Sequence, residues 1–207
     1  MDAKELIAQY EAGKRDFAGA DLFDAILASA HLRDADLRDA DLRNADLSRV
    51  DLIGANLRDA NLRSADLEYA RLEYANLTGA RLEYARLEYA NLTDANLANA
   101  NLTDANLANA NLRNADLRDV TMNWSSHNLV SERLRQAAGQ DVSRRMFAGL
   151  IAVSTDWCWE DFNAHALPLD LTEWTLRLFV SWRKENDDVP DFEAMAKSRG
   201  LELAEFK

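Results

Sequence analysis

The sequence predicts a repeat solenoid of five-residue units, closed by a short helix at its N-terminal end and followed by a helical domain. Three observations carry this. Leu occupies every fifth position from Leu22 to Leu117, twenty in a row. Ala stands two residues before each centre, with Val50 and Val120 as the substitutes. Both patterns stop near Trp124, and apolar residues then return at helical spacing.

Composition bounds the class. Of 207 residues, 36 are acidic and 24 basic, a formal charge of −12, and 48% are hydrophobic. That apolar share argues against a disordered chain. One cysteine excludes an internal disulfide and a Cys-built zinc site, and three scattered histidines form no metal cluster. No apolar run approaches the roughly 18 residues of a membrane helix. The N-terminus lacks the apolar stretch of a signal peptide, so a cytoplasmic protein is expected. The acidic balance disfavours direct nucleic-acid binding, which needs clustered Lys and Arg. No cofactor is implied.

Residues 1–14 read as a capping element. Leu6, Ile7 and Tyr10 fall at helical spacing and Gly13 supplies a stop. A cap is needed there because an open solenoid exposes unpaired edges.

Residues 15–124 carry the period. Five fits neither 3.6 nor 2, so neither an amphipathic helix nor a flat strand explains it. A solenoid does. Each unit, A-(D/N)-L-x-x, turns a corner and sends one large and one small side chain inward. A buried Leu contributes roughly 1.5–3 kcal/mol, and stacked units form a column that none could build alone. Phe17 and Met122 continue the phase at the two ends, and Arg71, Arg81 and Arg86 replace Asp or Asn locally.

The run Ala35-Asp-Leu-Arg-Asp-Ala-Asp-Leu-Arg-Asn and its continuation resemble the pentapeptide-repeat proteins. The resemblance implies a right-handed, four-sided β-helix with four pentapeptides per coil, hence about five coils. At a strand spacing of about 4.8 Å the rod would be about 25 Å long. Residues twenty apart would then stack. Asn56, Asn76 and Asn96 would form a ladder, as would Asn91 and Asn111. Asp66 would sit beside Arg86 and Tyr69 on Tyr89, while Glu68 over Glu88 would be an unfavourable like-charge pair. Arg33, Arg38, Arg43, Arg58 and Arg63 are placed to pair with Asp on neighbouring repeats.

Residues 125–207 read as four or five helices. Leu129–Ala138, about 142–153, a third through Trp157 and Phe162, Leu171 to Trp182, and about 191–199 carry the stripes and caps. Trp124, Trp174 and Trp182 mark a candidate dimer or domain contact, so a homodimer is an expectation.

Three candidate activities follow. The block 66–80 recurs almost unchanged at 81–95 and carries Tyr69, Tyr74, Tyr84 and Tyr89 with Glu68, Glu73, Glu83 and Glu88 beside them. Exposed tyrosines rimmed by charge fit a protein-binding surface. A gene duplication, with Tyr tolerated on a β surface, accounts for the same pattern. The second follows from the resemblance. The quinolone-resistance group of the family are rod-like dimers that mimic DNA and occupy the DNA-binding saddle of gyrase. Residues 15–124 hold 19 acidic and 12 basic side chains, which permits such mimicry of a type II topoisomerase's substrate but salts it with arginine. The third is a Cys158–His165 nucleophilic pair, for which a buried small hydrophobe between two tryptophans is the simpler account. No catalytic or metal residues are assigned. The sequence reads as a non-enzymatic interaction scaffold of unknown protein partner, with gyrase as the alternative.

Overall fold

The structure is a computed structural model and describes residues 1–122. The chain divides after Met122, into Met1–Met122 and Asn123–Lys207. The expected C-terminal helices, Cys158, His165, Trp124, Trp174 and Trp182 therefore lie outside the described residues.

Helix α1, Ala3–Glu11, opens the chain. Asp2 caps it by accepting from the Glu5 N–H at 2.8 Å. It ends in a Schellman motif: Gly13 adopts φ +96, its N–H donates to Tyr10 O, and the Lys14 N–H donates to Gln9 O at 3.0 Å. The helix buries Leu6 fully. Its Tyr10 hydroxyl donates to the Arg33 carbonyl at 2.9 Å, satisfying one edge acceptor of the first coil.

From Asp16 onward the backbone pairs with itself in parallel at an interval of twenty residues. The pairs run from Asp16↔Asp36 to Asn96↔Asp116. They end in β1 (Asn101–Leu102) beside β2 (Thr121–Met122), with Asn101 opposite Thr121. One coil is thus four pentapeptides. The leucines form four columns, one per face. Face I is the column from Leu22 to Leu102, face II that from Leu27 to Leu107. Face III runs from Leu32 to Leu112, and face IV from Phe17 through Leu37 to Leu117. Their interior is the core: Leu32, Leu52 and Leu72 are fully buried, as are Ala35, Ala55 and Ala75.

The five positions of the unit follow from where each backbone group finds a partner. The central Leu22 N–H donates to Asp41 O in the next coil at 2.8 Å, and Asp41 N–H donates back to Ala20 O at 2.9 Å. Ala25 N–H donates to Leu22 O at 3.1 Å, which closes a β-turn at the corner. Asp24, inside that turn, donates to Arg43 O at 3.0 Å. One N–H per unit remains, that of the residue just after the centre. The Asp or Asn just before the centre accepts it, as Asp46 Oδ1 does from Ser48 at 3.0 Å and Asn96 Oδ1 from Ala98 at 3.0 Å. This Asx turn is the physical reason for D/N in the motif.

Candidate functional site

The corner residue, second after each centre, has positive φ throughout. Asp24, Asn44, Asp94 and Asn114 lie between φ 54 and 59. This is the conformation a type II turn requires at that point, and Gly, Asn and Asp adopt it with least strain. The composition follows: the position holds Gly19, Gly54 and Gly79, and otherwise mostly Asp, Asn or Ser. The exceptions are Arg49 and four tyrosines. Tyr69, Tyr74, Tyr84 and Tyr89 have φ 57, 62, 60 and 59. They are the turn residues of their corners, so they do not lie on a β surface. A left-handed conformation costs an L-residue roughly 1–2 kcal/mol.

All four rings are exposed, by 48, 66, 54 and 51%. Tyr69 and Tyr89 stack face to face, with centroids 4.9 Å apart and planes 4° from parallel. The Arg49 guanidinium lies 5.5 Å from the Tyr69 ring and that of Arg63 lies 5.9 Å from the Tyr84 ring. Tyr69 and Tyr89 stand at the corner between faces II and III, Tyr84 between faces I and II, and Tyr74 between faces III and IV.

Between these corners the Asx pattern breaks. Arg71, Arg81 and Arg86 replace Asp or Asn, so the Asx bond to Glu73, Glu83 and Glu88 is lost. Those same glutamates each hold Oε2 buried without a hydrogen-bond partner. Their other oxygens stay at 3.6–3.9 Å from the neighbouring arginines. Glu68, which follows Asp66, keeps the Asx bond at 3.0 Å.

Arg86 is the hub of face II. It donates to Asp66 Oδ2 at 2.9 Å and to Glu68 Oε1, and lies 3.9 Å from Glu88. Asn106 donates to Glu88 Oε1 at 2.6 Å. The Glu68–Glu88 clash expected from stacking is therefore corrected: a guanidinium sits between the two carboxylates. Asp66 and Glu68 in turn raise the pKa of Arg86, Asp66 most.

Elsewhere arginines neutralise carboxylates within their own repeat rather than across repeats. Arg38 binds Asp36 and Arg43 binds Asp41, each at 2.6 Å, and Arg58 binds Asp59 at 3.1 Å. Only Arg33 reaches a different repeat as expected, donating to Asp51 at 2.9 Å, where Arg71 joins it at 3.1 Å. Hydrogen bonds from Arg38, Arg43 and Arg118 hold the carboxyls of Asp36, Asp41 and Asp116 below their ordinary pKa. The amide ladder is partial: Asn76 donates to Asn56 at 3.2 Å, while Asn76↔Asn96 and Asn91↔Asn111 pair through the backbone. No cluster of three or more His, Cys, Asp or Glu that could hold a metal occurs among the described residues. None of their helices is long and apolar enough to cross a membrane.

A family model described as pentapeptide repeats matches residues 16–52, 45–83 and 80–119. The chain belongs to the pentapeptide-repeat family. Its described unit has the β-helix of that family, which is right-handed. No curated protein matches it. Among solved structures it is similar to a pentapeptide-repeat protein of the cyanobacterium Cyanothece 51142, at 30% identity over 59% of this chain and 97% of that one, with a TM-score of 0.39. It is also similar to one from the Arabidopsis thaliana thylakoid lumen, at 26% identity over 59% and 79%, TM-score 0.38. A plasmid-mediated fluoroquinolone resistance protein matches at 22% identity over 57% and 84%, TM-score 0.29.

Within this pentapeptide-repeat unit, Asp66, Glu68 and Glu88 converge on Arg86, with the Tyr69–Tyr89 stack on one corner of that face and Tyr84 on the other. Tyr74 stands apart, one corner further on. Sequence reasoning missed Arg49 and Asn106, and assigned Arg63 to an aspartate where the structure sets it over Tyr84. Their signal was present in the twenty-residue register, which sets Arg49 under Tyr69 and Asn106 over Arg86.

Proposed function

We propose that this pentapeptide-repeat protein is a non-enzymatic, cytoplasmic scaffold that docks a protein partner on the tyrosine block. One observation supports it above others: departures from the low-strain repeat gather in residues 66–90. Four tyrosines take the left-handed corner, three Asx bonds are lost, and three glutamate oxygens go without partners. Local strain that concentrates in one stretch of the solenoid points to a use other than stability. The tyrosines supply large, rigid contact area of the kind that dominates protein interfaces.

The test compares the full chain with a Tyr69→Ser, Tyr74→Ser, Tyr84→Ser, Tyr89→Ser variant. Partners are first identified by affinity capture and then titrated by calorimetry. A loss of tenfold or more in affinity is expected for the variant. Equal affinity for every captured partner would remove the tyrosines from the interface. The tryptophans Trp124, Trp174 and Trp182 supply the homodimer contact in this proposal, which sedimentation of the full chain tests.

The acidic balance of residues 15–124 favours a second reading, a DNA mimic directed at gyrase. The pairing of Asp36, Asp41, Asp51, Asp66 and Asp116 with arginine weighs against it. Inhibition of gyrase supercoiling, or protection from a fluoroquinolone, at low micromolar protein would put this reading first.

A further inference from the structure

The four faces do not share the acidic charge equally. Face I sets Asp21, Asp41 and Glu83 against Arg43, Arg63 and Arg81. Face IV sets Asp16, Asp36 and Asp116 against Arg38, Arg58 and Arg118. Face III, with Asp51 and Glu73 against Arg33, Arg71 and Arg113, is slightly basic. Face II carries Asp46, Asp66, Glu68 and Glu88 against Arg86 alone. At the positions beside each centre, face II is thus the one with a carboxylate excess; the corner aspartates stand between faces I and II (Asp24, Asp104), III and IV (Asp34, Asp94) and IV and I (Asp39, Asp59, Asp119). It also has tyrosines on both flanking corners, Tyr84 on one side and the Tyr69–Tyr89 stack on the other; face III, flanked by that stack and by Tyr74, lacks the carboxylate excess.

These two properties are independent, since the carboxylates of face II stand beside the centres and the aromatics at the corners. Together they suit one chemistry. The rings of Tyr69 and Tyr84 already face guanidinium groups from this chain, Arg49 and Arg63. Carboxylates along the floor attract further cations, and the exposed rings present π-faces to them. We propose that face II is the docking surface for an extended, arginine- or lysine-rich peptide segment of a partner protein. This rests on the scaffold reading and specifies its partner. A neutral or acidic segment would meet uncompensated carboxylates and is selected against.

The probe is a fluorescein-labelled decapeptide alternating Arg and Ser, with its Glu–Ser counterpart as control, titrated by anisotropy into the full chain at two salt concentrations. The Arg–Ser peptide is expected to bind, more weakly at high salt, and the Glu–Ser peptide not at all. Three variants follow, each checked for an unchanged circular dichroism spectrum. Asp66→Asn, Glu68→Gln, Glu88→Gln neutralises face II and should weaken binding tenfold or more. Asp16→Asn, Asp36→Asn, Asp116→Asn removes the same charge from face IV and should weaken it less than threefold. Tyr69→Ser, Tyr84→Ser, Tyr89→Ser leaves the charge intact and should also weaken it tenfold. Equal weakening by the two neutralised variants would show only the general field of an acidic chain and overturn the proposal. So would failure of the Arg–Ser peptide to bind, or binding indifferent to the tyrosines. If the peptide fails while a captured partner still depends on the tyrosines, the scaffold reading stands and only its basic-segment form falls.

Discussion

The ring of Tyr69 lies 4.9 Å from that of Tyr89 and 4° from parallel, although both residues hold the left-handed conformation. The stack and the strain act in opposite directions. An aromatic pair contributes about 0.5–1.5 kcal/mol, comparable with the cost of one left-handed residue. Tyr74 has the strain without the stack. Tyr74→Asn is therefore expected to raise stability by about 0.5–1 kcal/mol, because Asn adopts positive φ more readily. Tyr69→Asn loses both Tyr89 and Arg49 and should be neutral or destabilising. Urea midpoints of the two variants check the difference; the same sign and size for both would refute it.

Gly54 is a corner that a side chain could occupy only if Asp34 moved. Its φ is +68, and a Cβ there would collide with Asp34 Oδ1. Gly54→Ala should cost at least about 1 kcal/mol. Asp34 is itself a corner residue at φ 55, so the collision is removed with Asp34→Gly: measured against Asp34→Gly alone, Gly54→Ala should lose the collision part of its cost and keep the conformational part. No cost in that background would show that φ contributes nothing.

Arg81 occupies an Asx position while making only a 3.6 Å contact with Glu83. Arg81→Asn restores the acceptor for the Glu83 N–H. A gain of about 0.5–1.5 kcal/mol is expected, the usual net worth of one hydrogen bond. A thermal melt showing a loss instead would mean that Arg81 stabilises through contacts other than that ion pair.

Acid should loosen the coils in part through three named carboxyls. The carboxyls of Asp36, Asp41 and Asp116 are held below their ordinary pKa by arginine hydrogen bonds. A depressed folded-state pKa gives stability that is complete above the ordinary aspartate value and is lost as pH falls through the folded value. The pairs are well exposed, so each contributes little. The triple variant Asp36→Asn, Asp41→Asn, Asp116→Asn should flatten the acid limb of stability against pH slightly, and lower neutral stability by the same small amount. An acid limb of unaltered slope would assign the effect to other carboxylates.

Much of this fold was legible because its interior is periodic. The Leu and Ala columns are buried where the five-residue count put them, and the twenty-residue register implied by the family likeness brings Asp66 to Arg86 and Tyr69 to Tyr89. The corners were harder to read. The residue two after each centre passes for polar and variable until its backbone is known; the Gly, Asn and Asp found there are then the signature of positive φ. Reading it so would have set the tyrosines apart as strained. Register alone likewise put Glu68 over Glu88 as a repulsion. It left out that Arg86, one position before its centre, has the reach to lie between them. Side-chain length, which a periodic count ignores, decided that contact.

The twenty-residue coil also separates length from pattern. Adding or removing whole pentapeptides leaves every inward position as it was, but rotates all that follows by a quarter turn for each unit. The block 66–80 and its near copy 81–95 are offset by three units. Two tyrosines one unit apart within the block then make up a complete revolution, and the copy of Tyr74, namely Tyr89, lands over Tyr69. The copying of 91–100 into 101–110 moves its outward residues to the opposite side. A solenoid of this kind lets a gene rearrange its outer chemistry in fixed angular steps, with its interior blind to the change.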